Sequence, residues 1–235
     1  MVVLVALLAA CGGDGRTTLT VSAAASLADA FGEIETAFEA RHPDVDVILN
    51  LGGSATLREQ ILAGAPVSVF ASADLETVSD FVEEGRFERW VVFASNRLTI
   101  GVPAGNPAGI TSLRDLARPD LAVGLCAPEV PCGRVARRVL DAAGVDVRPV
   151  TEELDVRALV TKLEAGELDA GLVYRTDVPA AAIDEVPLPT GLPADTEYVI
   201  GVISGGPESE LAGRFVRFVR SRDGERILER HGFGR

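Results

Sequence analysis

Short apolar runs alternate along this chain with stretches in which apolar residues return every three or four positions. That alternation predicts strands and helices in turn. Residues 19–22, LTVS, read as a strand. From Ser26 onward Leu27, Ala30, Phe31, Ile34, Ala37 and Phe38 recur at helical spacing. Ser26 stands where an N-cap belongs, Asp29 follows three residues on as in a capping box, and Pro43 ends the helix. Residues 45–51 form the next predicted strand, and Gly52-Gly53-Ser54 turns the chain into a helix with Leu57 and Ile61 inward and Gly64 as its stop. A third strand over 67–72 leads to Asp74, which caps a helix carrying Val78, Phe81 and Val82 and stopped by Gly85.

The alternation resumes with RLTIGVP at 97–103, a strand expected to leave the first sheet. Ser112 caps a short helix ending near Pro119, residues 121–126 form a strand, and 127–133 make a turn rich in proline. Two helices follow, one with Val135, Val139 and Leu140 inward and Gly144 as its stop, the other opened by Asp155 with Val156, Leu159, Val160 and Leu163 inward. A strand over 170–174, a loop over 187–196, a strand over 198–203 and one long helix starting near Pro207 complete the chain. Strand–helix alternation at this spacing predicts an α/β protein with mostly parallel sheets.

Composition changes this picture in two ways. The 235 residues, 47% of them hydrophobic, suffice for one large or two small packed domains and exclude wholesale disorder. The net charge of −13 argues against nucleic acid as a partner, since phosphate binding needs a basic face. His42 and His231 match no metal spacing, so no free metal cation and no cofactor is expected. Residues 1–10, MVVLVALLAA, are too few to span a bilayer but long enough for the apolar part of an export signal. No Lys or Arg precedes them, so a basic segment is expected upstream. Leu8-Ala9-Ala10-Cys11 resembles a bacterial lipobox, which makes Cys11 the lipidation site, 1–18 a signal and tether, and the protein extracytoplasmic and lipid-anchored. In that oxidising setting Cys126 and Cys132 read as a disulfide, with two unpaired thiols as the alternative. Zinc would need more ligands, and a redox pair usually has two residues between its cysteines.

The candidate chemistry lies in several loops that precede helix starts and carry small or hydroxyl residues: 23–26, 52–54, 130–133 and 154–156. Helix N-termini carry free N–H groups and a positive dipole end, so several of them converging would bind an anion without any Lys or Arg. On spacing alone, Ser26 and Ser54 read as caps of their own helices, and Arg58, Arg134 and Arg157 as solvated or salt-bridged side chains. No G-x-S-x-G elbow and no phosphate-binding G-x-x-x-x-G-K-[ST] loop occurs.

Taken together, VSAAASLADAF (21–31), NLGGSATLREQILAGAPVSVFASAD (50–74), APEVPCGRVA (127–136), ELDVRALVTKLEAGELDAGLVYRTD (153–177) and YVIGVI (198–203) resemble the molybdate-binding lipoproteins of ABC importers. The resemblance covers about residues 19–235 and implies a two-lobed, type II periplasmic-binding-protein-like fold with a two-strand hinge. Residues 19–98 and 199–235 would form the first lobe and 99–198 the second, with crossings near 95–102 and 196–203. It further implies that the hydroxyls of Ser26 and Ser54, the main-chain N–H groups of Cys132 and Val156 and the phenol of Tyr174 hold the oxyanion between the lobes. The Cys126–Cys132 disulfide would turn the Cys132 side chain away from that site. The implied role is capture of molybdate, and tungstate with it, by a monomer that delivers it to a permease and its ATPase, with no catalysis. Sulfate or another tetrahedral oxyanion is the alternative ligand. A sensory domain of a transcription regulator would need a DNA-binding helix-turn-helix where the export segment stands, and an extracytoplasmic enzyme would rest on the cysteine pair.

Overall fold

The computed structural model describes residues 15–235; the apolar run and Cys11 lie outside them. In chain order the elements are β1 (Thr17–Ala24), α1 (Ala28–Glu39), β2 (Val45–Gly52), α2 (Ser54–Leu62), β3 (Val69–Ser72), α3 (Ser79–Glu83), β4 (Phe87–Pro103), β5 (Val123–Cys126) and α4 (Pro131–Ala143). They continue with β6 (Thr151–Glu153), α5 (Val156–Glu164), β7 (Ala170–Tyr174), β8 (Ile183–Val186), β9 (Asp195–Ile203), α6 (Ser209–Val219) and α7 (Arg222–Arg230). The strands follow the order β2-β1-β3-β9-β4-β7-β5-β6, with β8 also on β4.

Each lobe has a three-stranded parallel centre, β2-β1-β3 in the first and β6-β5-β7 in the second. Antiparallel strands join the two: β9 pairs with β3 and β4, while β7 and β8 pair with the far end of β4. Successive side chains of a strand face opposite sides of its sheet. In β3 this sends Val69 and Ala71 into the core under α1, α6 and α7, and Phe70 into a separate core with Leu57, Phe81 and Phe87. Under α1 and α6, Phe38 meets Phe215 and Phe218 edge-on at 5.2 and 5.6 Å between ring centres, a favoured geometry for aromatic pairs. The second lobe packs around Ile100, Leu125, Val139, Leu159 and Leu172.

Several helix ends follow the local rules. Asp155 accepts a hydrogen bond from the Ala158 N–H at the start of α5, and Gly144 ends α4 in the left-handed conformation that glycine adopts without steric cost. Three expectations are corrected. β4 begins at Phe87, well before residue 97, because its first half is the edge of the first sheet and its half-exposed side chains lack a clean alternation. β9 pairs with β4 from Asp195 onward and with β3 over 199–202, so residues 195–198 lie in the first sheet instead of the second lobe. The C-terminal helix is broken in two at Ser221, whose hydroxyl accepts from the Gly224 N–H and caps α7. Among the described residues no helix is long and apolar enough to cross a membrane.

Candidate functional site

The carboxyl ends of the parallel strands in both lobes point toward one another, as open α/β sheets require of a ligand crevice. Between them lies a cavity of about 20 Å³. Roughly 10–15 Å³ on this measure holds one water, so the space fits one small guest and no sugar or peptide. All four loops anticipated from the sequence line it. Ser26 follows β1, Gly53 and Ser54 lie at the start of α2, Cys132 lies at the start of α4, Val156 opens α5, and Tyr174 ends β7. A larger solvent-open cleft of about 500 Å³ adjoins it, bounded by Arg58 and Asp80 on one lobe and Glu129 and Arg134 on the other.

Three helix N-termini face the cavity. In α2 and α4 the first N–H donors used within the helix belong to Leu57 and Arg134, which leaves those of the preceding turn for a guest. Cys132 is disulfide-bonded to Cys126 across 5.7 Å between Cα atoms, so its main-chain N–H is the only donor at that position. The side chains behave differently from simple caps. Ser26 lies in a single 3-10 turn before α1 and makes no capping bond; its Oγ sits 2.7 Å from Tyr198 Oη. The expected partner Asp29 pairs instead with Arg157 across the lobes. Ser54 Oγ also caps nothing and accepts the Ala73 N–H at 3.1 Å. Tyr174 is 1% exposed, and its Oη has no hydrogen-bond partner in the protein.

No Lys or Arg lines the small cavity. The nearby arginines are committed to carboxylates: Arg134 reaches across from α4 to Asp74 at 2.6 Å, Arg157 to Asp29, and Arg58 to Asp80 within the first lobe. The cross-lobe pairs were not legible in the sequence, because nothing local links residues so far apart. The site's field therefore comes from dipoles. Among the described residues no cluster of His, Cys, Asp or Glu is arranged to hold a metal cation.

Asp177 is buried beside this site and accepts the Tyr174 N–H at 3.1 Å. Burial pushes its carboxyl up to about 7 from 3.8, against a smaller downward pull from Arg157. Between those values the folded chain binds a proton that the unfolded chain does not, so this group's contribution to stability falls as pH rises through about 7 and the penalty is complete above it. Asp177→Asn keeps an oxygen for the Tyr174 N–H and abolishes the ionisation. Chemical denaturation at about pH 5.5 and about pH 8 should therefore show a wild-type loss of about 2 kcal/mol that the variant lacks. Parallel pH slopes in the two proteins would refute this assignment.

Residues 19–234 match the family model of the bacterial extracellular solute-binding proteins. The chain is 38% identical over 246 residues to the molybdate-binding protein ModA of Mycobacterium tuberculosis, covering 99% of this chain and 94% of that one. The fold is similar to that of the Azotobacter vinelandii periplasmic molybdate-binding protein, with a TM-score of 0.81 at 19% identity over 92% of this chain and 98% of that one. It is also similar to the sulfate-binding protein SubI of Mycobacterium tuberculosis, with a TM-score of 0.74 at 19% identity over 93% and 86% of the two chains.

Proposed function

Because the chain belongs to the bacterial extracellular solute-binding protein family, we propose that it binds molybdate between its lobes and delivers it to an ABC importer. The observation that carries this reading is the buried Tyr174 hydroxyl, without a partner, beside a cavity sized for one small ion and faced by three helix N-termini. Molybdate is a tetrahedral dianion at neutral pH, and such donors replace its water shell. Hydrogen bonds to a charged group are the stronger kind, worth about 1.5–3 kcal/mol net each. The oxyanion ligands in this reading are Ser26, Ser54, Cys132, Val156 and Tyr174, the cysteine and valine through their main-chain N–H groups. The near full-length relative of M. tuberculosis named for molybdate supports this choice.

Tungstate, of nearly the same size and charge, binds as well in this reading. The protein works as a monomeric carrier without a cofactor and without catalysis, held at the outer membrane face by a lipid on Cys11. Sulfate is the second candidate, favoured by the fold shared with a sulfate-binding protein; discrimination between the two anions rests on cavity size, since both offer the same acceptor oxygens.

Calorimetric titration with molybdate, tungstate, sulfate and phosphate tests the assignment. Molybdate should bind tightly and raise the melting temperature by linkage; equal stabilisation by sulfate would sink it. Ser26→Ala, Ser54→Ala and Tyr174→Phe should each weaken molybdate binding by about 1.5–3 kcal/mol, or roughly 10- to 100-fold. Unchanged affinity in all three would remove the side chains from the site.

A further inference from the structure

We propose that Tyr198 and Asn96 are positioning residues that set the Ser26 hydroxyl as a hydrogen-bond donor into the cavity, so that this position selects an oxyanion carrying no proton. The inference rests on the oxyanion reading above. It starts from Asn96, a buried residue of β4. Its Oδ1 accepts the Arg97 N–H at 2.8 Å, which fixes the orientation of the amide, so its NH2 group faces the other way. That group donates to Thr176 Oγ1 at 2.9 Å and to Tyr198 Oη at 3.3 Å.

Tyr198 is fully buried, and its hydroxyl has two neighbours, the Asn96 amide and Ser26 Oγ at 2.7 Å. The Asn96 NH2 is a donor only, so it occupies an acceptor position on the phenol oxygen. The phenol's own proton then has one acceptor within reach, Ser26 Oγ. A serine oxygen that accepts there turns its own proton elsewhere, and Ser26 lines the cavity. The same logic holds at Ser54, whose Oγ accepts the Ala73 N–H and is left to donate. The direction of the whole chain, amide to phenol to serine to guest, is thus set by a backbone N–H that lies outside the cavity.

A guest oxygen bearing a proton, as in hydrogen phosphate, needs an acceptor. With Tyr198 donating to one lone pair of Ser26 and the serine proton turned toward the cavity, Ser26 meets the guest as a donor and competes with a proton on that guest oxygen. Tyr198→Phe keeps the ring and its packing while opening a lone pair on Ser26.

The test is a double-mutant cycle by calorimetry with Ser26→Ala, Tyr198→Phe and the pair, using molybdate and inorganic phosphate as probes. Tyr198→Phe alone should weaken molybdate binding roughly 3- to 10-fold and narrow the preference for molybdate over phosphate. In the Ser26→Ala background the same change should alter molybdate affinity less than about twofold. Equal losses in both backgrounds, with the phosphate preference unmoved, would mean that Tyr198 acts by packing, and would overturn the proposal. If Tyr198→Phe lowers the ligand-free melting temperature too far to titrate, Asn96→Ala, which frees the phenol to rotate, enters the same cycle with the same criteria. Should the wild-type chain take sulfate and not molybdate, the molybdate reading fails while the cycle is still decided with sulfate, which also carries no proton.

Discussion

Gly53→Ala should lower molybdate affinity at least about 100-fold while leaving the ligand-free melting temperature close to that of the wild type. Gly53 precedes α2 in the first lobe at φ −61° and ψ 132°, a conformation alanine adopts freely. The obstacle is across the cleft: a Cβ there would lie 2.2 Å from the backbone oxygen of Leu154 in the second lobe. A carbonyl oxygen cannot rotate away as the end of a flexible side chain does. The lobes must therefore stand farther apart, and donors on Cys132, Val156 and Tyr174 lose reach of an anion held by Ser26 and Ser54. A guest that touches both lobes favours the closed state only by the contacts it makes there. Losing even about 2.8 kcal/mol of them costs a factor of about 100. Calorimetry gives the affinity, and small-angle scattering should show a radius of gyration that no longer shrinks on adding molybdate. Wild-type affinity would mean that the anion does not need the lobes this close.

Gly133→Ala should damage stability and binding together. A Cβ on Gly133 would lie 1.8 Å from the Ala127 oxygen and 2.7 Å from the Cys126 oxygen, both backbone atoms of its own lobe. The disulfide from Cys126 to Cys132 ties the same turn, so the first turn of α4 cannot move aside without pulling on the end of β5. Overpacking against fixed backbone belongs to the more damaging class of substitutions, and a loss of about 3 kcal/mol or more is expected. Denaturant titration measures it, and the accompanying fall in molybdate affinity follows from displacement of the Cys132 N–H. A variant as stable as the wild type would show that residues 127–130 rearrange at no cost. On the proposed reading the two glycines therefore separate the requirements: Gly53 serves the close approach of the lobes, Gly133 the shape of a single turn.

Much of this site was legible because its parts are local. Asp155 caps α5 as its position suggests, and four loops chosen for their small residues at helix starts line one cavity. The cysteine spacing pointed to the bond that the fold contains. The first half of β4 is not legible in the sequence because an edge strand that is only partly covered carries no clean period-two signal. The capping role that spacing gives Ser26 fails for a different reason. A serine ahead of a helical pattern is ordinarily a cap, but its hydroxyl is taken by Tyr198, 172 residues away.

By itself, then, the sequence determined where most helices start and stop, the α/β alternation and the small-residue loops, because capping, glycine conformation and apolar periodicity act within a few residues along the chain. Only the tertiary structure decided that β4 is shared by both lobes, that Arg134 and Arg157 pair across the cleft, that Ser26 Oγ meets the Tyr198 hydroxyl and that Ser54 Oγ accepts the Ala73 N–H. Those outcomes depend on which partner reaches each polar atom first once the core has closed, and that competition involves residues from opposite ends of the chain.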